Sequence, residues 1–213
     1  MSFTEVAGLA RDARVRVAVV YHSGFGHTAR QATAVAAGVE QVAGARALLL
    51  TVEEAVTRWD DLEAADAIVF GAPTYMGGPS AAFQAFAEAT SRPVLARGMR
   101  WRDKVAAGFT NSGSSAGDKL ATLVQIALFA AQHGMHWVSL GVAPTGRAST
   151  ATDDEVNRLG FWLGAAAQSN IDQGPDAAPP EADLETARVL GRRVAEVALQ
   201  LARGRESERR AVA

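Results

Sequence analysis

The side chains with most capacity for chemistry in this chain are hydroxyls set among glycines, rather than paired acids, thiols or metal ligands. Ser23, His27 and Thr28 flank Gly24, Phe25 and Gly26 in a short stretch between two very different patterns. Before it runs Val15, Val17, Ala18, Val19 and Val20, a β-branched series that suits a strand buried on both faces of a parallel sheet. After it, Ala32, Val35, Ala36, Val39 and Ala43 recur at helical spacing, and Gly44 stands where a left-handed cap would end the helix. Residues 23–28 therefore fall at a helix N-terminus, where free backbone N–H groups and the positive end of the dipole favour a phosphate.

Three readings of that phosphate compete. Residues 24–29 satisfy the G-x-G-x-x-A dinucleotide fingerprint, which also asks for an acid about 20 residues further on; Glu53 and Glu54 come somewhat late. The hydroxyls of Ser23 and Thr28, with His27 as a possible donor, instead suit the three oxygens of a terminal monophosphate such as that of flavin mononucleotide (FMN). The third reading is a glycine-rich turn that binds nothing.

The elements that must position this loop can be followed along the chain. Residues 45–52 read as a second strand, followed by an acidic stretch with Trp59 and Leu62 that docks as a short helix. Residues 67–71 read as a third strand running into Pro73, Thr74, Tyr75, Met76 and Gly77, where proline and glycine are expected to stop the strand. Pro79 suits the first position of a helix carrying Ala82, Phe83, Phe86 and Ala87 on its buried face. A fourth strand over 104–110 leads into Asn111, Ser112, Gly113, Ser114 and Ser115, a second hydroxyl-rich loop. The helix over 119–132 is apolar on two sides; either the core of the sheet or a second subunit covers the second, with Ile126, Phe129 and Ala130 the residues expected at a subunit contact. Residues 138–142 read as the fifth strand, and residues 143–180 as an irregular segment that lies over a ligand or a neighbouring subunit. An amphipathic helix over 181–203 closes the core, which spans about 14–203, and residues 204–213 are expected to fray.

Alternating strands and helices predict one doubly wound α/β domain with a five-stranded parallel sheet in the order 2-1-3-4-5. In that order the loops after strands one, three and four meet at one sheet edge, the switch point where ligands bind.

Composition bounds the chemistry. The 213 residues include no cysteine, so disulfides, thiolate nucleophiles and iron–sulfur clusters are excluded and any redox chemistry belongs to a cofactor. A formal charge of −2 leaves no footprint for nucleic acid or an anionic membrane. With no apolar stretch of spanning length and acids at Glu5 and Asp12, the expectation is a cytoplasmic protein without a membrane anchor.

At four places the chain resembles the flavodoxin-like FMN proteins, and among them the WrbA-type NAD(P)H:quinone oxidoreductases and NADPH-dependent FMN reductases: Tyr-His-Ser-Gly-Phe-Gly-His-Thr (21–28), Phe-Gly-Ala-Pro-Thr-Tyr-Met-Gly (70–77), Phe-Thr-Asn-Ser-Gly-Ser (109–114) and Gln-His-Gly-Met (132–135). The resemblance implies that Ser23, Phe25, Gly26, His27 and Thr28 hold the FMN phosphate. It places Pro73, Thr74, Tyr75, Met76 and Gly77 along one edge of the isoalloxazine, and Thr110, Asn111, Ser112, Gly113 and Ser114 along its other edge and the ribityl chain. It also implies NADPH or NADH as reductant, a quinone-like acceptor and a homodimer or homotetramer. An electron-carrying flavodoxin and a reductase of free FMN are the alternatives. Tyr75 and Met76 stand where many WrbA-type enzymes have Arg and Phe. No essential acid or base is expected; His133 is a possible substrate contact or, equally, a helix-capping imidazole.

Overall fold

The structure, a computed structural model, describes residues 15–145 and 148–212. The expected lead-in over residues 1–14 lies outside the described residues. Strand β1 (Val15–Tyr21) is followed by helix α1 (His27–Glu40), β2 (Ala45–Thr51), the short helices α2 (Val52–Ala55) and α3 (Trp59–Ala64), and β3 (Ala67–Tyr75). Then come β4 (Gly78–Pro79), α4 (Ala81–Ala89), a π turn at Ser91–Leu95, β5 (Val105–Ser112), α5 (Lys119–Gln132), β6 (His136–Trp137), β7 (Ala165–Gln168) and α6 (Glu181–Val212).

The main sheet runs β2-β1-β3-β5-β6, all parallel, with β7 also on β5. This is the expected flavodoxin-like order. Successive side chains of a strand point to opposite faces, and β1 divides accordingly: Val15, Val17 and Val19 enter one core layer with α1 and α6, and Ala18 and Val20 enter the other with α2 to α5. On the second face Phe70, Phe83, Phe86, Trp101 and Phe129 form a contiguous aromatic cluster, which makes Trp101 a core residue.

Six expectations are corrected. Strand β3 does not stop at residue 71 but continues through Pro73 to Tyr75. Gly71 O accepts from His22 N on the β1 side, so Pro73, two residues on, faces the same side just beyond the end of β1, where no ladder donor is needed. Tyr75 then pairs with Gly78 across a two-residue hairpin in which Met76 (φ 49°) and Gly77 (φ 82°) are both left-handed. Pro79 belongs to that hairpin, and α4 starts at Ala81 behind Ser80.

The fifth strand is not 138–142. Its place beside β5 is shared by β6, opposite Val105 and Ala106, and β7, opposite Phe109 to Ser112. Trp137 Nε1 donates to Leu163 O at 3.0 Å, tying the departing segment to the returning one. The segment 143–180 is therefore not wholly irregular. Alanine is a poor strand former in isolation, and 165–167 pair only because the core beside β5 accepts small side chains. The apolar face of α5 is reversed as well: Ile126, Phe129 and Ala130 are buried against the sheet, and Leu120, Val124 and Leu128 are exposed. Both stripes are apolar, so periodicity could not say which one the sheet takes. Finally, α6 runs on to Val212 instead of fraying after 203, with Arg205 Nη2 donating to Asp103 O.

Helices α1 and α6 cross at glycines. A Cβ built on Gly191 would lie 2.0 Å from Val35 O, and one on Gly38 would lie 2.0 Å from Arg188 O. Alanine in a helix interior normally gains about 1 kcal/mol over glycine, but here a backbone carbonyl has nowhere to move. Gly191→Ala should lower the unfolding midpoint by an amount equivalent to about 1–3 kcal/mol. A raised midpoint by differential scanning calorimetry would contradict this crossing geometry.

Candidate functional site

The site is built where parallel strands end. Helix α1 begins at His27 behind Gly26, whose φ of 86° suits glycine, and the cap supplies no side-chain hydrogen bond. The first turn carries no acid, so the N-terminal N–H groups meet no side chain of their own helix. Ser23 Oγ is buried and has no hydrogen-bond partner among the described residues. A buried hydroxyl left without a partner costs about 1–3 kcal/mol; beside an uncapped helix start and on a cavity wall, it offers a polar ligand a partner. Thr28 lies buried in the same first turn.

Ser23, Phe25, His27 and Thr28 form one wall of a cavity of about 450 Å³. Pro73, Thr74 and Tyr75 form a second, and Asn111, Ser112 and Gly113 a third. Phe25 and Tyr75 meet edge to face at 6.4 Å across its mouth, and the Tyr75 hydroxyl sits against the Gly24 backbone, where a Cβ would come within 2.7 Å. Partial burial raises the Tyr75 pKa, so the phenol stays protonated at neutral pH. Met76, Gly77 and Ser114 line an adjoining, more open chamber of about 580 Å³, together with Asp118 and Asp172.

A fourth wall comes from the segment expected to lie over a ligand or a neighbouring subunit, although sequence reasoning singled out none of its residues. Ser169, Ile171, Gln173 and Gly174 follow β7 and close the cavity from above. His27 Nε2 donates to Gln173 O and Arg30 Nη1 to Pro175 O, both at 2.8 Å, and Asn111 Nδ2 donates to Ser169 Oγ at 2.9 Å. The His27 ring is thereby engaged with the cover rather than offered to a phosphate, and Pro175 packs on Gly26 so closely that a Cβ would lie 2.9 Å away. The signal was present: residues 169–174 are another polar loop at a strand's carboxyl end, hidden because the alanines before it did not read as a strand.

Two expected site residues lie elsewhere. The Thr110 side chain is fully buried and hydrogen bonds at 2.8 Å to Thr74 Oγ1, which also meets Thr122 Oγ1 at 2.8 Å. It supports the second wall from beneath without lining the cavity. His133 is buried at the C-terminus of α5, with Nδ1 3.0 Å from Phe129 O and Nε2 3.0 Å from Thr90 Oγ1, and its ring packs on Trp101 and Phe129. A carbonyl only accepts, so Nδ1 carries the proton and Nε2 is left to accept. This is the capping imidazole, remote from the cavity walls.

The remaining residues suit a phosphate monoester carrying an apolar ring. The lining offers a phosphate hydroxyls and the N-terminus of a helix but no lysine or arginine, since Arg30 is turned to Pro175. Among the described residues no group of three or more His, Cys, Asp or Glu could hold a metal ion, and no helix is long and apolar enough to cross a membrane.

The comparisons with known proteins show the family and the fold. The profile of the family described as NADPH-dependent FMN reductase matches residues 5–149. Flavodoxin FldP of Pseudomonas aeruginosa is 43% identical over 190 residues, covering 87% of this chain and 98% of that protein. An NAD(P)H dehydrogenase (quinone) of Archaeoglobus fulgidus is 32% identical over 209 residues, covering 87% and 98%. The crystal structure of a flavodoxin, WrbA-like protein from Agrobacterium tumefaciens is 44% identical, with a TM-score of 0.67 over 87% of this chain and 98% of that one.

Burial lowers the pKa of His133 below its ordinary 6.5, outweighing the Phe129 carbonyl that raises it. Below about pH 6.5 the unfolded chain takes up a proton that the folded chain refuses, so stability falls as pH falls through this window. The unfolding midpoint should drop more steeply between about pH 7.5 and 5.5 in the parent protein than in His133→Gln, as followed by circular dichroism. Parallel curves would show that folding does not lower the His133 pKa.

Proposed function

The chain belongs to the NADPH-dependent FMN reductase family, and on that premise we propose that it binds FMN in the cavity at the carboxyl edge of the sheet and passes a hydride from NAD(P)H to a quinone or similar acceptor. The observation that carries this reading is the buried, unpartnered Ser23 Oγ beside the uncapped start of α1. Ser23, Thr28 and the backbone N–H groups of the first turn of α1 hold the phosphate. Phe25 and Tyr75 border the ring, and residues 111–114 run along the opposite side. FMN supplies the two-electron centre when bound; the protein positions it, orients reductant and acceptor, and keeps water from its buried side. No side chain is assigned a proton-transfer step.

A second reading has its own observations. The 43% identical relative is named a flavodoxin, and Phe25, Met76 and Ile171 expose apolar surface around the cavity, as a protein electron carrier needs for docking. The formal charge of −2 weighs against it, because carriers that dock electrostatically bear a strongly charged surface. Oxidation of NADPH by the purified yellow protein with added benzoquinone, compared with free FMN as acceptor, separates the quinone oxidoreductase, the carrier and the reductase of free flavin.

Assembly belongs to the same proposal. Leu120, Val124 and Leu128 recur at i, i+4 and i+8 along the solvent side of α5, and Leu95 lies exposed beside Leu128 in one groove. Burying a large aliphatic side chain contributes about 1.5–3 kcal/mol, and an isologous twofold contact is the commonest way to bury such a ridge. Leu128→Glu should shift the homo-oligomer towards monomer while leaving FMN affinity unchanged. A parent protein that is monomeric at micromolar concentration by light scattering would remove this part of the proposal.

For the cofactor, Ser23→Ala combined with Thr28→Ala should weaken FMN binding by about 2–4 kcal/mol, the loss of two hydrogen bonds to a charged phosphate with some replacement by water. Riboflavin, which lacks the phosphate, should bind both forms equally. Equal FMN affinity in the two proteins would take this loop out of the cofactor site.

A further inference from the structure

The loop after β5 has its carbonyls drawn inward. Gly113 O accepts from Gln168 Nε2 at 3.1 Å, Ser114 O accepts from Ser112 Oγ at 3.1 Å and from Lys119 Nζ, and Ser115 O accepts from Lys119 Nζ at 3.0 Å. In a trans peptide the N–H points opposite to the C=O, so fixing these three carbonyls turns the N–H groups of Ser114, Ser115 and Ala116 the other way. Ser114 and Gly117 line the chamber that adjoins the main cavity, and Lys119 does not. The loop folds back so tightly that a Cβ on Gly117 (φ 50°) would lie 2.1 Å from Ser112 Oγ.

The group responsible is unusual in its surroundings. Lys119 is fully buried, although lysine is rarely so unless paired. The acid closest to it in effect, Asp183 of α6, is already engaged with Arg158 through two bonds at 2.8 and 2.9 Å, and accepts a third from Gln168 N at 2.8 Å. Two cations therefore share one buried carboxylate. Fold stability alone gives no reason for the second cation, since an apolar side chain of similar length would avoid its desolvation.

We propose that Lys119 is a positioning residue for the bound flavin, its ammonium holding the 114 and 115 carbonyls inward so that the loop presents successive backbone N–H groups to the cofactor. The inference rests on the FMN reading above. It adds a residue that touches no part of the cavity, and it makes cofactor affinity depend on one proton. Burial pushes the Lys119 ammonium down to about 8, with Asp183 acting to raise it and Arg158 to lower it; the remaining charged groups on this side, Asp118 and Asp172, are exposed at the chamber. As pH rises through this value, the charge-assisted bonds to the carbonyls weaken and FMN affinity falls.

The test uses the full chain freed of flavin, titrated with FMN by fluorescence quenching between about pH 7 and 9. The parent should lose affinity by about threefold or more across that range. Lys119→Met should bind about tenfold more weakly at pH 7, the equivalent of one charge-assisted hydrogen bond, and should show no pH slope. Lys119→Gln, which keeps a donor without the charge, should recover part of the affinity but not the slope. Amide hydrogen exchange of residues 112–117 without FMN should quicken in Lys119→Met. A parent affinity flat in pH, or a Met variant with the parent's affinity and slope, would overturn the proposal. A parent that binds no FMN at any pH would overturn the functional reading instead; the exchange measurement then decides alone, and unchanged protection at 112–117 would sink the loop-holding role.

Discussion

Every backbone polar group at the carboxyl edge of a parallel sheet has to find a partner after its strand has ended, and most of this molecule's functional geometry is the set of answers to that constraint. Behind β1 the chain turns through glycine into a helix whose first N–H groups are left free. Behind β3 it turns back on itself as a hairpin, so that Tyr75 is held by Gly78. Behind β5 side chains from Lys119, Gln168 and Ser112 take up the carbonyls one at a time. Behind β7 the chain crosses the others and is fastened by His27, Arg30 and Asn111. Among the described residues the buried side-chain atoms left without a partner are His22 Nδ1, Ser23 Oγ, Gln31 Oε1 and Ser80 Oγ, and of these residues Ser23 is the one that lines the cavity.

The parts of this arrangement that were legible in the sequence are those carried by local pattern. The β-branched run before residue 21, the glycine and hydroxyl loop and the helix over 119–132 each declare themselves through periodicity or turn chemistry, and the order of the sheet follows from their alternation. The parts that were not legible depend on partners distant in the chain. Pro73 reads as a stop until it is known that β1 has ended beside it. Residues 165–167 read as loop because only the core beside β5 makes three alanines a strand. His133 has the sequence surroundings of a substrate contact, and only the proximity of Thr90, Trp101 and Phe129 makes it a structural imidazole. The orientation of α5 was the subtlest case, since two apolar stripes are equivalent until the sheet chooses one.

The same division holds for the site. Side chains within residues 23–28 and 73–77 were named from local motifs, and the structure brings several of them, Ser23, Thr28 and Tyr75 included, around one cavity. Their cover at 169–175 and the buried charges beneath the 112–117 loop could not be named so, for those contacts join residues more than a hundred positions apart in the case of His27 and Gln173. Function of this kind is written partly in motifs and partly in what the remainder of the chain brings up against them.

The divided fifth strand position has a consequence outside the site. An edge strand of ordinary length offers a row of open donors and acceptors that can recruit a strand from another molecule. Here that border consists of two paired residues, a long excursion and four more, so the pattern is interrupted before a foreign strand could find a register. This side of the sheet therefore offers no continuous ladder for strand exchange or fibrillar growth, and the continuous border lies at the opposite edge, where the seven residues of β2 pair with β1.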